Sequence, residues 1–172
     1  MSVYPFNNVH PDIAESAFIA PGARVIGDVT IGDDSSIWYN AVLRGDVERI
    51  TVGARSNIQD GTIVHVTRAR HGTEIGDDVL IGHLAMVHGC VIENHGFIGL
   101  GAIVMDNCVV ETGGMLAAGA LLTPGKRIGK GELWTGRPAK FARMLTDDEI
   151  RINRAGCAGY VELAKVHKAS IG

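Results

Sequence analysis

Aromatic residues make up only 5% of this chain, and its 172 residues include just 5 prolines and 3 cysteines. So few aromatics leave little material for the large side-chain core of an ordinary globule. Cys90, Cys108 and Cys157 are odd in number and unpatterned, which argues against a disulfide framework and suits a reducing compartment. No segment approaches the roughly 20 apolar residues that span a bilayer, and Met1-Ser2-Val3-Tyr4-Pro5 lacks a basic region followed by an apolar run, so a cytoplasmic protein with no membrane partner is expected. Positive charge is not in excess: the net charge is -3 and the pI near 6.1, which removes the basic field that nucleic-acid binding requires. What the chain does have is 46% hydrophobic residues, enough to exclude disorder, and 23 glycines, a supply that a repetitive backbone would use. Its length fits one structural unit.

The repeat is visible directly. Aliphatic residues recur every six positions at Ile13, Ile19, Val25, Ile31, Ile37 and Leu43, again at Val52, Ile58 and Val64, at Ile75, Ile81 and Val87, and from Ile92 to Ile128. A period of six suits neither a 3.6-residue helix nor long flat strands, but it suits short strands separated by tight corners. Each hexapeptide is then one face of a three-sided prism, with the aliphatic pointing inward and Gly, Asn or Asp taking left-handed dihedrals near the corners. The step of nine from Leu43 to Val52 and that of eleven from Val64 to Ile75 are expected to bulge from corners as loops. The β-helix therefore occupies residues 1–140, its end from Gly129 to Lys140 reading as a Gly/Pro loop. Residues 141–172 add a helix of the same unit: Thr146-Asp147-Asp148-Glu149 has the capping-box pattern, and Ile150, Cys157, Val161 and Ala164 form an apolar stripe for docking.

Counting faces A, B and C from Ile13 places His65 and His88 at the same position of face C in adjacent coils, about 4.8 Å apart. His83 falls two residues after Ile81, on face B. One chain cannot converge all three, but a homotrimer in which face B of one subunit meets face C of the next can. Three imidazoles with an open fourth position form a catalytic-type zinc environment. His10, His71, His95 and His167 show no such convergence and read as loop, corner or helix-surface residues.

The segments Arg44-Gly45-Asp46, Asn57-Ile58-Gln59-Asp60-Gly61, Val64-His65, Gly82-His83 and Val87-His88-Gly89-Cys90 together resemble the gamma-class carbonic anhydrases, among the hexapeptide-repeat proteins. The resemblance implies a left-handed parallel β-helix with a C-terminal α-helix, assembled as a trimer whose metal takes His65 and His88 from one subunit and His83 from its neighbour. It further implies a salt bridge of Arg44 with Asp46 across the subunit interface, Gln59 and Asn57 around the reacting water or bicarbonate, and Tyr160 reaching the pocket, with a place in the core of the docked helix as the other reading of that tyrosine. Asp60 shares the column of His83 and is read as either its hydrogen-bond partner or a corner cap. The implied activity is reversible hydration of carbon dioxide to bicarbonate. Zinc, with iron or cobalt as alternatives, lowers the pKa of a bound water to about 7 and so makes hydroxide available.

The acidic loop carrying a glutamate proton shuttle in the best-known active members is not evident here, for Val66-Thr67-Arg68-Ala69-Arg70-His71 is basic; His71 and Glu48 are the substitutes within reach of the reading. Two other functions stay open. An acyltransferase using acetyl-coenzyme A is compatible with Gly136-Arg137-Pro138-Ala139-Lys140, although such enzymes need a single histidine, and a metal-binding trimer without hydratase activity is compatible with the ligand set.

Overall fold

The computed structural model describes residues 2–171. The six-residue period folds into a parallel β-solenoid in which most strands are only two or three residues long and pair with their counterparts one coil away. Face B is an eight-stranded sheet whose inward column runs Ile19, Ile37, Ile58, Ile81, Ile98, Leu116 and Trp134. The inward residues of faces A and C form equivalent columns, among them Val52, Ile75, Ile92 and Val110 on A and Leu43, Val64, Val87 and Val104 on C. Nearly all are fully buried. Each such aliphatic contributes roughly 1.5–3 kcal/mol by leaving water, and each rung is held by the rungs above and below it.

Several features differ from the expectation set by the sequence. The excess residues between Leu43 and Val52 do not form a corner loop: Val42–Val52 is one strand paired along the parallel strand Arg24–Ile31, with an irregularity that sets residues 46–49 against Asp28 alone. Because both strands turn the C–A corner unbroken, faces A and C join in a single twelve-stranded sheet. The second excess does leave the sheet, as the turn between Val66 and Gly72 closed by the Thr67–His71 bridge.

The repeat also runs one rung past Ile128. Trp134, six residues on, pairs beside Leu116, and the segment read as a Gly/Pro loop is a hairpin of Glu132–Gly136 with Ala139–Met144. An aromatic in the aliphatic slot concealed the rung.

The C-terminal helix, Asp147–Ile171, starts where the capping box places it. The Thr146 N–H donates to Glu149 Oε2 at 2.9 Å and the Glu149 N–H to Thr146 Oγ1 at 3.2 Å. The Arg143 guanidinium, together with that Thr146 N–H, holds the Glu149 carboxyl at about 2, so the cap stays charged through the acid range. The helix buries Cys157 and Ala164 and makes its contacts with the face-B strands. The face-B strands Phe18–Ile19, Ser36–Ile37, Asn57–Ile58 and Leu80–Ile81 are therefore covered by the chain itself, while the B–C corner with His83 stays outward, that side chain being 39% exposed. His167 is likewise no surface residue: its ring packs against Trp38 at 5.0 Å between centroids, and its Nδ1 lies 2.9 Å from the Tyr39 hydroxyl. No helix among the described residues is long and apolar enough to cross a membrane.

Candidate metal centre

Parallel pairing sets the first two histidines. The register aligns His65 directly with His88 on adjacent coils of face C, and Val64 and Val87 anchor the two strands in the core. The side chains meet: His65 Nδ1 lies 3.1 Å from His88 Nε2.

What lies behind each ring decides what that short distance means. His65 Nε2 is 3.0 Å from Asp46 Oδ1, and His88 Nδ1 is 2.5 Å from Asp106 Oδ1. An ionised carboxylate can only accept, so the ring nitrogen facing it carries the proton. In neutral imidazoles the other nitrogen is then a lone pair. Two lone pairs thus face one another across 3.1 Å, an arrangement that repels unless a cation or a shared proton lies between them.

Both carboxylates are held ionised. Partial burial raises the pKa of Asp46, but hydrogen bonds from His65 and Arg44 outweigh it and leave the group below its ordinary value. For Asp106 burial again acts upward and is overcome by hydrogen bonds from Thr67 and His88. Arg44 grips Asp46 within the same chain. The Thr67 hydroxyl donates to Asp106 Oδ2 at 2.6 Å, tying the 66–72 turn to the pair.

His83 stands apart, on the B–C corner. Its Nδ1 is 2.9 Å from Asp60 Oδ2, so its Nε2 is also the free nitrogen, and the Tyr160 hydroxyl lies 3.5 Å from it. Asp60 is thus a partner of the imidazole. Burial, and then the charge of Asp60, raise the pKa of Tyr160, whose ring packs edge-on against Trp38. Gln59 and Asn57 are buried behind this corner. Gln59 Oε1 accepts the His83 backbone N–H at 3.2 Å, its Nε2 donates to Asn57 Oδ1 at 3.0 Å, and Asn57 Nδ2 reaches Cys157 Sγ on the helix at 3.5 Å. They fix the backbone of His83 more directly than they face solvent. No group of three or more metal-ligating side chains comes together within one chain among the described residues.

Asp106 was not found from the sequence. It lies 18 residues, three whole hexapeptides, beyond His88, but the step from Val87 to Ile92 is five rather than six, so the register sets Val104 beside Val87 and leaves Asp106 one residue past the place opposite His88.

Outward on face C, beside the histidine pair, Val42, Ile63, Met86, Ile103 and Leu121 stack in register as an apolar ladder, with Ile63 36% and Met86 43% exposed. An outward apolar stripe thus lies beside the polar cluster.

The architecture and the histidine register together define a hexapeptide-repeat β-helix protein, and residues 10–45 match the family model described as bacterial transferase hexapeptide (six repeats). The relatives narrow this further. The carbonic anhydrase of Geobacillus kaustophilus is 41% identical over 167 residues, covering 97% of this chain and 91% of that protein. Gamma carbonic anhydrase 1, mitochondrial, of Arabidopsis thaliana is 51% identical over 164 residues, covering 92% of this chain; the chain spans 60% of that relative's length. Among solved structures, a hexapeptide transferase family protein from Anaplasma phagocytophilum superposes with a TM-score of 0.92 at 50% identity, covering 95% of this chain and 96% of its own. The chain belongs to the gamma carbonic anhydrase family.

Proposed function

We propose that this chain acts as a homotrimer that reversibly hydrates carbon dioxide to bicarbonate, with a divalent metal, zinc in the first instance, held by His65 and His88 of one subunit and His83 of the next. The observation that carries the reading is the pair of facing lone pairs on His65 and His88, each imidazole backed by an ionised carboxylate. The donor set fits a metal. Two nitrogens sharing one tetrahedral zinc at roughly 2.0–2.1 Å stand about 3.3 Å apart, and here they stand 3.1 Å apart. His–carboxylate pairs of this kind orient metal ligands, and Asp46, Asp60 and Asp106 supply one to each histidine.

A metal in this site supplies Lewis-acid chemistry that makes a nucleophile from water near neutral pH. The chain's own residues do the rest. Asp46, Asp60 and Asp106 fix the tautomers, Arg44 steadies Asp46, and Gln59 holds the His83 backbone through its N–H. The apolar ladder of face C gives a dry wall suited to an uncharged substrate and a surface for subunit contact. The proton released on hydration leaves by a residue outside this set. The 66–72 turn carries Arg68, Arg70 and His71 but no carboxylate, so His71 or Glu48 serves as the carrier.

Metal analysis of the purified protein, with stopped-flow hydration of carbon dioxide on the same sample, tests the proposal. About one metal per chain with hydration above background supports it. Metal without hydration leaves a metal-stitched assembly, and absence of metal combined with acetyl-coenzyme A binding turns the site into that of an acyltransferase, as the transferase name of the Anaplasma relative would suggest.

Asp106→Asn probes the carboxylate device. The amide can no longer fix the His88 tautomer as an anion does, so metal affinity is expected to fall about 10–100-fold, as for other carboxylate partners of metal-bound histidines. Competition with a chromophoric chelator measures this, and unchanged affinity would remove Asp106 from the site.

A further inference from the structure

The B–C corner is built from one residue per coil in the left-handed region: Asn40 (φ 60°), Gly61 (φ 69°), Leu84 (φ 59°), Gly101 (φ 63°) and Gly119 (φ 67°). Backbone hydrogen bonds from one coil to the next hold these residues in a single column. Asparagine and glycine take this conformation at little cost; a leucine does not. Leu84 is also 74% exposed, more than any other large hydrophobic side chain among the described residues. Strain and exposure thus coincide at one position, the residue immediately after His83.

Nothing among the described residues offsets either. The side chain leans over the preceding coil, where a Cβ on Gly61 would come within 2.6 Å of Leu84 Cδ2, so the glycine leaves its seat open, yet most of the leucine still faces outward. Leu100, in the column of His83 one coil on, is 52% exposed and extends the same apolar edge. A strained, exposed apolar residue that persists beside a candidate site points to a role there.

We propose that Leu84 is a positioning residue contributed across the subunit interface: it docks on the apolar ladder of a second copy's face C, beside His65 and His88, and so sets His83 in register with them. This rests on the shared-site reading given above. The occupant follows from the surface. The ladder of Ile63 and Met86, with Met105 at 39% exposure, is apolar, lies next to the histidine pair that lacks a third imidazole, and belongs to the face that the C-terminal helix leaves uncovered.

Leu84→Gly gives a test with opposite signs. Glycine relieves the left-handed strain, so a leucine that merely turned the corner would, once replaced, leave the trimer and its metal unchanged and raise the melting temperature. A docked leucine, once replaced, weakens trimer association at least tenfold in analytical ultracentrifugation and lowers metal per chain in step, while the far-ultraviolet spectrum of the β-helix is kept. Leu84→Met, which keeps an apolar side chain of similar volume, restores both association and metal; Leu84→Asn, which tolerates the dihedral but is polar, does not. A parent protein that is monomeric or metal-free overturns the shared-site reading itself. A trimeric, metal-loaded parent whose Leu84→Gly variant is equally trimeric and loaded overturns only the role of Leu84.

Discussion

His83→Ala is expected to strip the metal from the protein and abolish hydration while leaving the β-helix folded. The reason lies in where His83 sits. Its side chain is 39% exposed on a corner and its only ion-pair partner among the described residues is Asp60, itself 41% exposed, so removing the ring opens no cavity and strands no buried charge. The loss at the metal should exceed the roughly 10–100-fold that follows removal of an outer carboxylate, because a ligand itself is gone. Dialysis of both proteins against dilute chelator followed by elemental analysis measures it. Retained metal in the variant would show that the site needs only the pair on face C.

The proposed sharing of ligands between subunits allows a stricter form of the same experiment. When His83→Ala subunits, which keep the pair, are refolded with His65→Ala subunits, which keep His83, every mixed trimer contains one interface at which a complete ligand set meets. Metal and activity should return in the mixture to at most about one third of the parent level, although each variant alone is empty. A site formed within one chain cannot be rescued in this way. Failure of rescue in demonstrably mixed trimers would therefore refute sharing even if His83→Ala alone behaved as expected.

Why these residues could be found at all is a matter of geometry. The aliphatic at every sixth position fixes which face a residue lies on, and a parallel register fixes which residues one coil apart lie side by side, so His65 and His88 are legible as a pair in the sequence alone. So was the alignment of Asp60 with His83, and the capping box at Thr146. What the period could not show is anything that breaks it. The rung at Trp134 substitutes an aromatic for an aliphatic, the residues 46–49 are absorbed inside a strand, and the five-residue step before Ile92 displaces Asp106 from its apparent column. His167 was a different omission. Cys157, Tyr160, Ala164 and His167 fall at helical steps of three and four, so the docking stripe was present in the sequence and ends on a histidine that an aliphatic search passes over. The covering of face B by the helix then moves the proposed subunit contact from a whole face to the corner on which Leu84 sits.

Leu116→Ala is expected to destabilise the protein by about 2–5 kcal/mol, the range for truncating a fully buried leucine that cannot be compensated by collapse. Leu116 is 0% exposed and stacks between Ile98 and Trp134 in the face-B column. In a solenoid each rung is supported only by its neighbours, so the cavity falls at the junction between the regular coils and the final rung. That rung carries the hairpin Glu132–Met144, and the hairpin leads directly into the capped helix whose Tyr160 and Cys157 back the His83 corner. Local loosening should therefore appear first as faster proteolysis of the hairpin and helix, before global unfolding. Urea denaturation at fixed protein concentration measures the loss, with Leu163→Ala, at 43% exposure on the helix, expected to stay within about 0.5 kcal/mol of the parent. A Leu116 variant as stable as the Leu163 control would mean that the terminal rung folds independently of the coils beneath it, and that the helix holds the His83 corner without their support.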